Sequence, residues 1–153
     1  MLDRSGGAHF CLRRFAYAIP FFRRIIMSAV MEKQELIRKP ADRPDETRPF
    51  KDDKGKMHVF MLGDHVVGRG EFEPGWRWSE HVKPIAGTDS CQAAHTGMIL
   101  QGRMVVKMSD GAQIEYGPGD FFYMPPGHDA WVVGNERCVL IDATGVTKYA
   151  KAH

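Results

Sequence analysis

The stretch RMVVKMSDGAQIEYGPGDFFYMPPGHDAWVV, residues 103–133, decides the fold class. Its first run alternates, with Met104, Val106 and Met108 on one face of an extended chain and Arg103, Val105 and Lys107 on the other. Asp110-Gly111 then stands where a tight hairpin turn needs positive φ. Gly117-Pro118-Gly119 and Pro125-Pro126-Gly127 give two more turns, the latter with Pro and Gly suited to the centre of a type II turn. Working outward, MHVFML from Met57, HVVGRGEFE from His65, WRWSEHV from Trp76, HTGMILQG from His95 and CVLIDA from Cys138 read as further short strands. Many short strands closed by turns, with no convincing long helix, predict a small all-β barrel or sandwich.

The rest of the chain bounds this reading. At 153 residues, 43% hydrophobic and 26% charged, it has the size and composition of one globular domain able to bury a core. Residues 1–26 hold five arginines against the single acid Asp3, which leaves 16 basic and 18 acidic residues beyond them. A basic nucleic-acid-binding face on the domain is therefore not expected. Cys11, Cys91 and Cys138 lie far apart and are odd in number, which argues against a disulfide framework and for a cytoplasmic protein. No apolar run approaches a membrane span. The stretch FAYAIPFFRRII is cut by Pro20 and by Arg23-Arg24 and lacks a small-residue cleavage site. Residues 1–30 read as a leader, with Met27 or Met31 as the true start; a membrane-surface amphipathic helix is the alternative. Residues 31–55, broken by Pro40, Pro44 and Pro49, read as an extended, mostly irregular arm after a short helix ending at Lys39. The barrel itself is expected over residues 56–148.

Three spacings add a family resemblance. Gly75 is followed after five residues by His81, His95 after six by Gly102, and Gly119 after five by Pro125-Pro126-Gly127. Together with the hairpin between them, over roughly residues 57–143, these resemble the two motifs of the cupin family. The resemblance implies a jelly-roll β-barrel and, in a typical member, a divalent ion held inside it by three histidines and a glutamate. The sequence departs from that ligand set. Lys83 stands at the second histidine position, His95 at the glutamate, and Ala130 at the histidine of the second motif. Eleven residues, PIAGTDSCQAA, separate Lys83 from His95, and they make a longer loop at the barrel mouth that holds Cys91.

His81, His95 and His128 are the candidate metal ligands. The first two occupy ligand positions, and His128 shares its strand face with Ala130, one pleat away. Imidazoles suit a divalent transition ion (Fe, Zn, Ni or Cu, with Mn also considered), and three of them with an open position make a catalytic type of site. His128 is also the candidate catalytic base. Cys91 supplies a further ligand if its loop folds inward. The competing reading makes the histidines hydrogen-bonded polar residues of a metal-free pocket, in which Lys83 favours an anionic ligand. Phe121 and Tyr123 have the parity of the interior and, with Lys83 and Cys91, are expected to line the substrate pocket. Asp129 adjoins His128 but points to the opposite face, which disfavours a dyad.

If His81 points inward on a strand, Trp76 and Trp78 point outward, and such an aromatic face needs cover from the arm or from a second subunit. A homodimer is the expected assembly. Two function classes follow: a metal-dependent cupin enzyme (dioxygenase, isomerase or hydrolase type) acting on a small organic molecule, and a metal-free small-molecule binding or sensing cupin. No nucleotide fingerprint or nucleophile elbow is present.

Overall fold

A computed structural model describes residues 35–147 and 149–151; the leader, Cys11 and the start of the arm lie outside the described residues. Nine strands form: β1 (Glu46–Pro49), β2 (Gly55–Leu62), β3 (His65–Phe72), β4 (His95–Gln101), β5 (Met104–Met108), β6 (Gln113–Tyr116), β7 (Phe121–Met124), β8 (His128–Val132) and β9 (Cys138–Asp142). Two one-turn helices, α1 (Trp78–His81) and α2 (Lys83–Ala86), stand between β3 and β4. The six-stranded sheet runs β1-β2-β3-β9-β4-β7 and the three-stranded sheet β6-β5-β8, every pair antiparallel. The all-β architecture expected from the alternation is the one that forms. The β5–β6 hairpin turns at Asp110-Gly111, with Gly111 at φ 94°.

Between the sheets lies an aromatic-rich core. Phe72 packs against Trp76 at 4.5 Å and Phe50 at 5.4 Å between ring centroids, and Tyr149 meets Phe50 edge-on at 6.0 Å. Within the 31–55 arm, Glu46–Pro49 joins the larger sheet by pairing with β2, while residues 35–39 form no helix. Its Arg48 is buried and donates through Nη1 to the carbonyls of Val146 (2.5 Å) and Tyr149 (2.7 Å), with Glu46 on its other side at 2.8 Å. One buried guanidinium therefore ties the first strand to the C-terminal segment.

Two expectations are corrected here. The segment from Trp76 is not a strand. It is extended only as far as Arg77, which bridges Trp131, and then coils into α1 and α2, ending at Gly87 in a left-handed conformation (φ 67°). The chain lacks β-branched residues there until Val82, and Pro84 sits in the first turn of α2, where a missing N–H costs nothing. Asp129 caps α1 from across the fold: its carboxylate accepts from the Ser79 N–H and Ser79 Oγ, both at 3.0 Å. Trp76, just ahead of the coil, and Trp78, on its first turn, are both buried core residues. The outer aromatic face from which a second subunit was inferred does not exist. The second correction concerns β7, where Phe122 and Met124 face inward and Phe121 and Tyr123 are exposed. Register explains it: Phe122 stands opposite Gly97 and Met124 opposite His95. Parity cannot be counted from Ala130 back through the Pro125-Pro126-Gly127 turn.

Candidate metal centre

Three buried side chains converge inside the barrel. One ligand atom each from Cys91, His95 and His128 lies within 4.8 Å of the others. His95 opens β4 and His128 opens β8, so the two come from different sheets; their ring centroids are 5.6 Å apart. Cys91 reaches them from the loop after α2. It is held to the start of β8 by two backbone hydrogen bonds, Cys91 N–H to the His128 carbonyl (2.9 Å) and Gly127 N–H to the Cys91 carbonyl (2.7 Å). A loop cysteine at no fixed motif spacing is thus placed by sheet-like pairing.

Hydrogen bonds fix which nitrogen of each ring faces the centre. His95 Nδ1 lies 2.7 Å from an Asp142 carboxylate oxygen, and its Nε2 lies 3.3 Å from Cys91 Sγ. His128 Nδ1 lies 2.5 Å from the Pro125 carbonyl, which can only accept. In the neutral rings each Nδ1 therefore carries the proton and each Nε2 offers a lone pair. Asp142, at the end of β9, is itself anchored by the N–H groups of Thr144 and Gly145, both 3.0 Å from Oδ1. A carboxylate on the far nitrogen of a histidine orients the ring and raises its basicity as a ligand. Tyr149 packs edge-on over His95 at 5.1 Å.

The electrostatics follow from these contacts. Burial works against a Cys91 thiolate, but hydrogen bonds from His128 and His95, and their charges, outweigh it and bring the thiol down to about 6. Burial likewise opposes a charged His95, yet the bonds to Asp142 and Cys91 lift it to about 9. Cys138 contrasts with Cys91, since burial and the charge of Glu136 push its thiol up to about 12. Without an ion the centre therefore holds a thiolate beside an imidazolium. One thiolate sulfur and two imidazole nitrogens form a borderline-soft donor set that suits Zn, Fe(II), Ni or Cu and not Ca or Mg. The residues thus fit a divalent transition ion.

Of the residues expected at the site, His95, His128 and Cys91 meet. His81 is buried but lies outside this group; its Nδ1 turns back on the Arg77 backbone, 2.9 Å from the carbonyl oxygen. The helix at Trp78–His81 is the reason, because it takes the ring off the strand face on which a ligand would stand. Lys83 pairs with Asp89 at the surface (3.0 Å) and does not line the interior. Phe121 and Tyr123 are outside, as described. Sequence reasoning missed Asp142 and Tyr149. The signal for Asp142 was an acid closing the otherwise apolar run CVLIDA, since an aspartate at the end of a core strand is buried only with partners.

The interior beside the centre holds a small cavity of about 30 Å³ whose wall includes His95, His128, Asp142, Tyr149, Trp76 and Trp78. A second, larger cavity of about 230 Å³ reaches Cys91 and shares Trp78 and Tyr149 with the first. None of the helices among the described residues is long and apolar enough to cross a membrane.

A comparison with known protein families agrees with the architecture. Residues 87–145 match the family model described as the EutQ-like cupin domain, a segment that contains Cys91, His95, His128 and Asp142. No curated protein matches the chain in sequence. Similar solved structures include a cupin 2 conserved barrel domain protein from Salinispora arenicola, 19% identical, covering 71% of this chain and 87% of that one, with a TM-score of 0.49. A protein of unknown function from Vibrio parahaemolyticus is 18% identical over 63% of this chain and 95% of its own, with a TM-score of 0.49. Another of unknown function, from Rhizobium leguminosarum, is 22% identical over 67% and 86%, with a TM-score of 0.47. At these identities and scores none of the three carries a functional argument. The family match takes in Cys91, His95, His128 and Asp142, so the segment that holds the centre is similar to a cupin domain.

Proposed function

We propose that this cupin domain is a metal-dependent protein acting on a small organic molecule, with Cys91, His95 and His128 as the ligands of a divalent transition ion. The observation that carries this reading is the convergence of the three buried ligand atoms within 4.8 Å, from a loop and two different sheets. Such an ion, when bound, supplies Lewis acidity toward an oxygen of water or substrate. The chain's own residues do the rest. Asp142 and the Pro125 carbonyl hold both rings with Nε2 inward, Cys91 gives a thiolate donor, and the buried walls exclude bulk water.

The metal-free binding or sensing cupin without catalysis remains the second reading, and the Cys91–His95–Asp142 chain points beyond it to metal-free chemistry. Thiol, imidazole and carboxylate stand in the order of a nucleophile, base and orienting acid. His128 brings a second imidazole to the same sulfur, one more than that scheme needs, and this favours the metal. Elemental analysis of protein purified without an affinity tag tests the choice. Stoichiometric transition metal that is lost in Cys91→Ser and in His128→Ala supports the metal reading; absence of metal, with no uptake of added Zn²⁺ or Co²⁺, rejects it.

A further inference from the structure

Among the described residues, two buried side-chain polar atoms have no hydrogen-bond partner, the indole Nε1 of Trp76 and the indole Nε1 of Trp78. Both residues are nearly inaccessible (1% and 2% exposed), and both line the small cavity beside the metal centre. Leaving one buried N–H without an acceptor costs about 1–3 kcal/mol, and here the two residues that carry such donors line one cavity. Buried indoles are normally paired, and orphaned polar groups need an explanation.

The surroundings define what the partner must be. The remaining wall is mostly apolar, from Met57, Phe72, Phe122, Leu140 and their neighbours. Several of its other polar groups are already engaged, since Asp142 accepts from His95, Thr144 and Gly145 and His128 Nδ1 bonds Pro125; the Tyr149 hydroxyl group belongs to a residue that also lines it. Water fits by size, because a cavity needs about 10–15 Å³ per molecule, yet water must also place its own hydrogens, and the cavity offers few free acceptors. A group that only accepts is the better complement.

We infer that Trp76 and Trp78 are the recognition pair for a carboxylate, so that the ligand is a small carboxylic acid whose oxygens accept the two indole N–H groups beside the metal. The position beside a metal rests on the metal reading above; the orphaned donors do not. The larger cavity, sharing Trp78 and Tyr149, has room for the rest of the acid.

The test is nuclear magnetic resonance of full-length protein with isotope-labelled tryptophan, titrated with formate and with acetate, in zinc-loaded and metal-free forms. The expected result is a saturable downfield shift of the Trp76 and Trp78 indole N–H signals, with no movement of Trp131 and no response to acetamide. Trp78→Phe should weaken acetate binding about 10- to 100-fold, the loss expected for one hydrogen bond to a charged acceptor. Zinc uptake is measured separately on the same samples. If zinc binds but neither indole responds to formate or acetate in large excess, the carboxylate inference is overturned while the metal reading stands. If the indoles respond in protein that takes up no zinc, the inference stands and the metal reading falls. A response to acetamide equal to that to acetate also overturns it, since the site would then not select the anion.

Discussion

Replacing Asp142 with asparagine should disable the centre without emptying its place in the fold. The substitution keeps the side-chain shape, and the amide oxygen can still accept the Thr144 and Gly145 N–H groups, both 3.0 Å away. What changes is the group 2.7 Å from His95 Nδ1, where a carboxylate that accepts becomes an amide nitrogen that donates. His95 must then accept through Nδ1 and carry its proton on Nε2, the atom that faces Cys91 at 3.3 Å. Its lone pair is lost to the centre. Loss of such a supporting carboxylate lowers metal affinity about 10- to 100-fold, equivalent to roughly 1.4–2.7 kcal/mol. The fold should lose about 1–3 kcal/mol, because two of the three bonds to Asp142 persist. Asp142→Ala, which strands both backbone donors as well, should cost more. Titration with Co²⁺, followed by its thiolate absorption, reads affinity, and urea unfolding of the metal-free protein reads stability. Unchanged Co²⁺ affinity in Asp142→Asn would refute the idea that Asp142 sets the His95 tautomer.

Three further outcomes are expected. In metal-free protein, the ultraviolet thiolate absorbance of the parent minus that of Cys91→Ser should rise with a midpoint near 6; a midpoint at the ordinary thiol value, about 8.5, rejects the pairing with the histidines. Because the folded thiol lies below its unfolded value, Cys91 contributes stability that is fully present above the unfolded value and is lost as pH falls through about 6. His95→Ala should abolish this contribution. His81→Ala should leave metal content unchanged and cost about 1 kcal/mol for its lost backbone hydrogen bond, whereas metal loss in that variant would restore His81 as a ligand. Arg48→Met, which leaves the Val146 and Tyr149 carbonyls without their donor, should lower stability by about 1–3 kcal/mol as measured by denaturant midpoint, and an unchanged midpoint would show those bonds to be unimportant.

The strand framework was legible because it rests on local signals. Alternation in Met104–Met108 and the Asp110-Gly111 turn are contained within a dozen residues, and the hairpin they describe is the one that forms. His95 and His128 were legible for a related reason, as each opens a strand beside a readable turn or motif. The failures share a cause in long-range contacts. Nothing near Trp78 says that an aspartate some fifty positions later caps the helix beginning there. The strand reading put His81 among the ligands and both tryptophans outside, whereas His81 is buried away from the ligand group and both tryptophans are in the core. Asp142 is joined to His95 only through the β4–β9 pairing, where it stands opposite Gly97, so its role became visible only with the sheet order. Cys91 was noticed but left without a position, because its two bonds to the start of β8 belong to no sequence pattern.

Gly145 donates one of the bonds that anchor Asp142, and its missing side chain matters as much as its N–H. A methyl group at this position would overlap His95 Nδ1 and lie only 2.7 Å from the Ala94 carbonyl oxygen. The imidazole can rest against its aspartate only because the backbone behind it is bare. A residue with no chemistry of its own thereby acquires the substitution tolerance of a ligand: alanine at 145 would push the ring off its bearing as surely as altering the ring itself. In a saturation mutagenesis screen for metal retention, position 145 should therefore behave like positions 91, 95 and 128, while the neighbouring exposed Thr144 should accept most replacements.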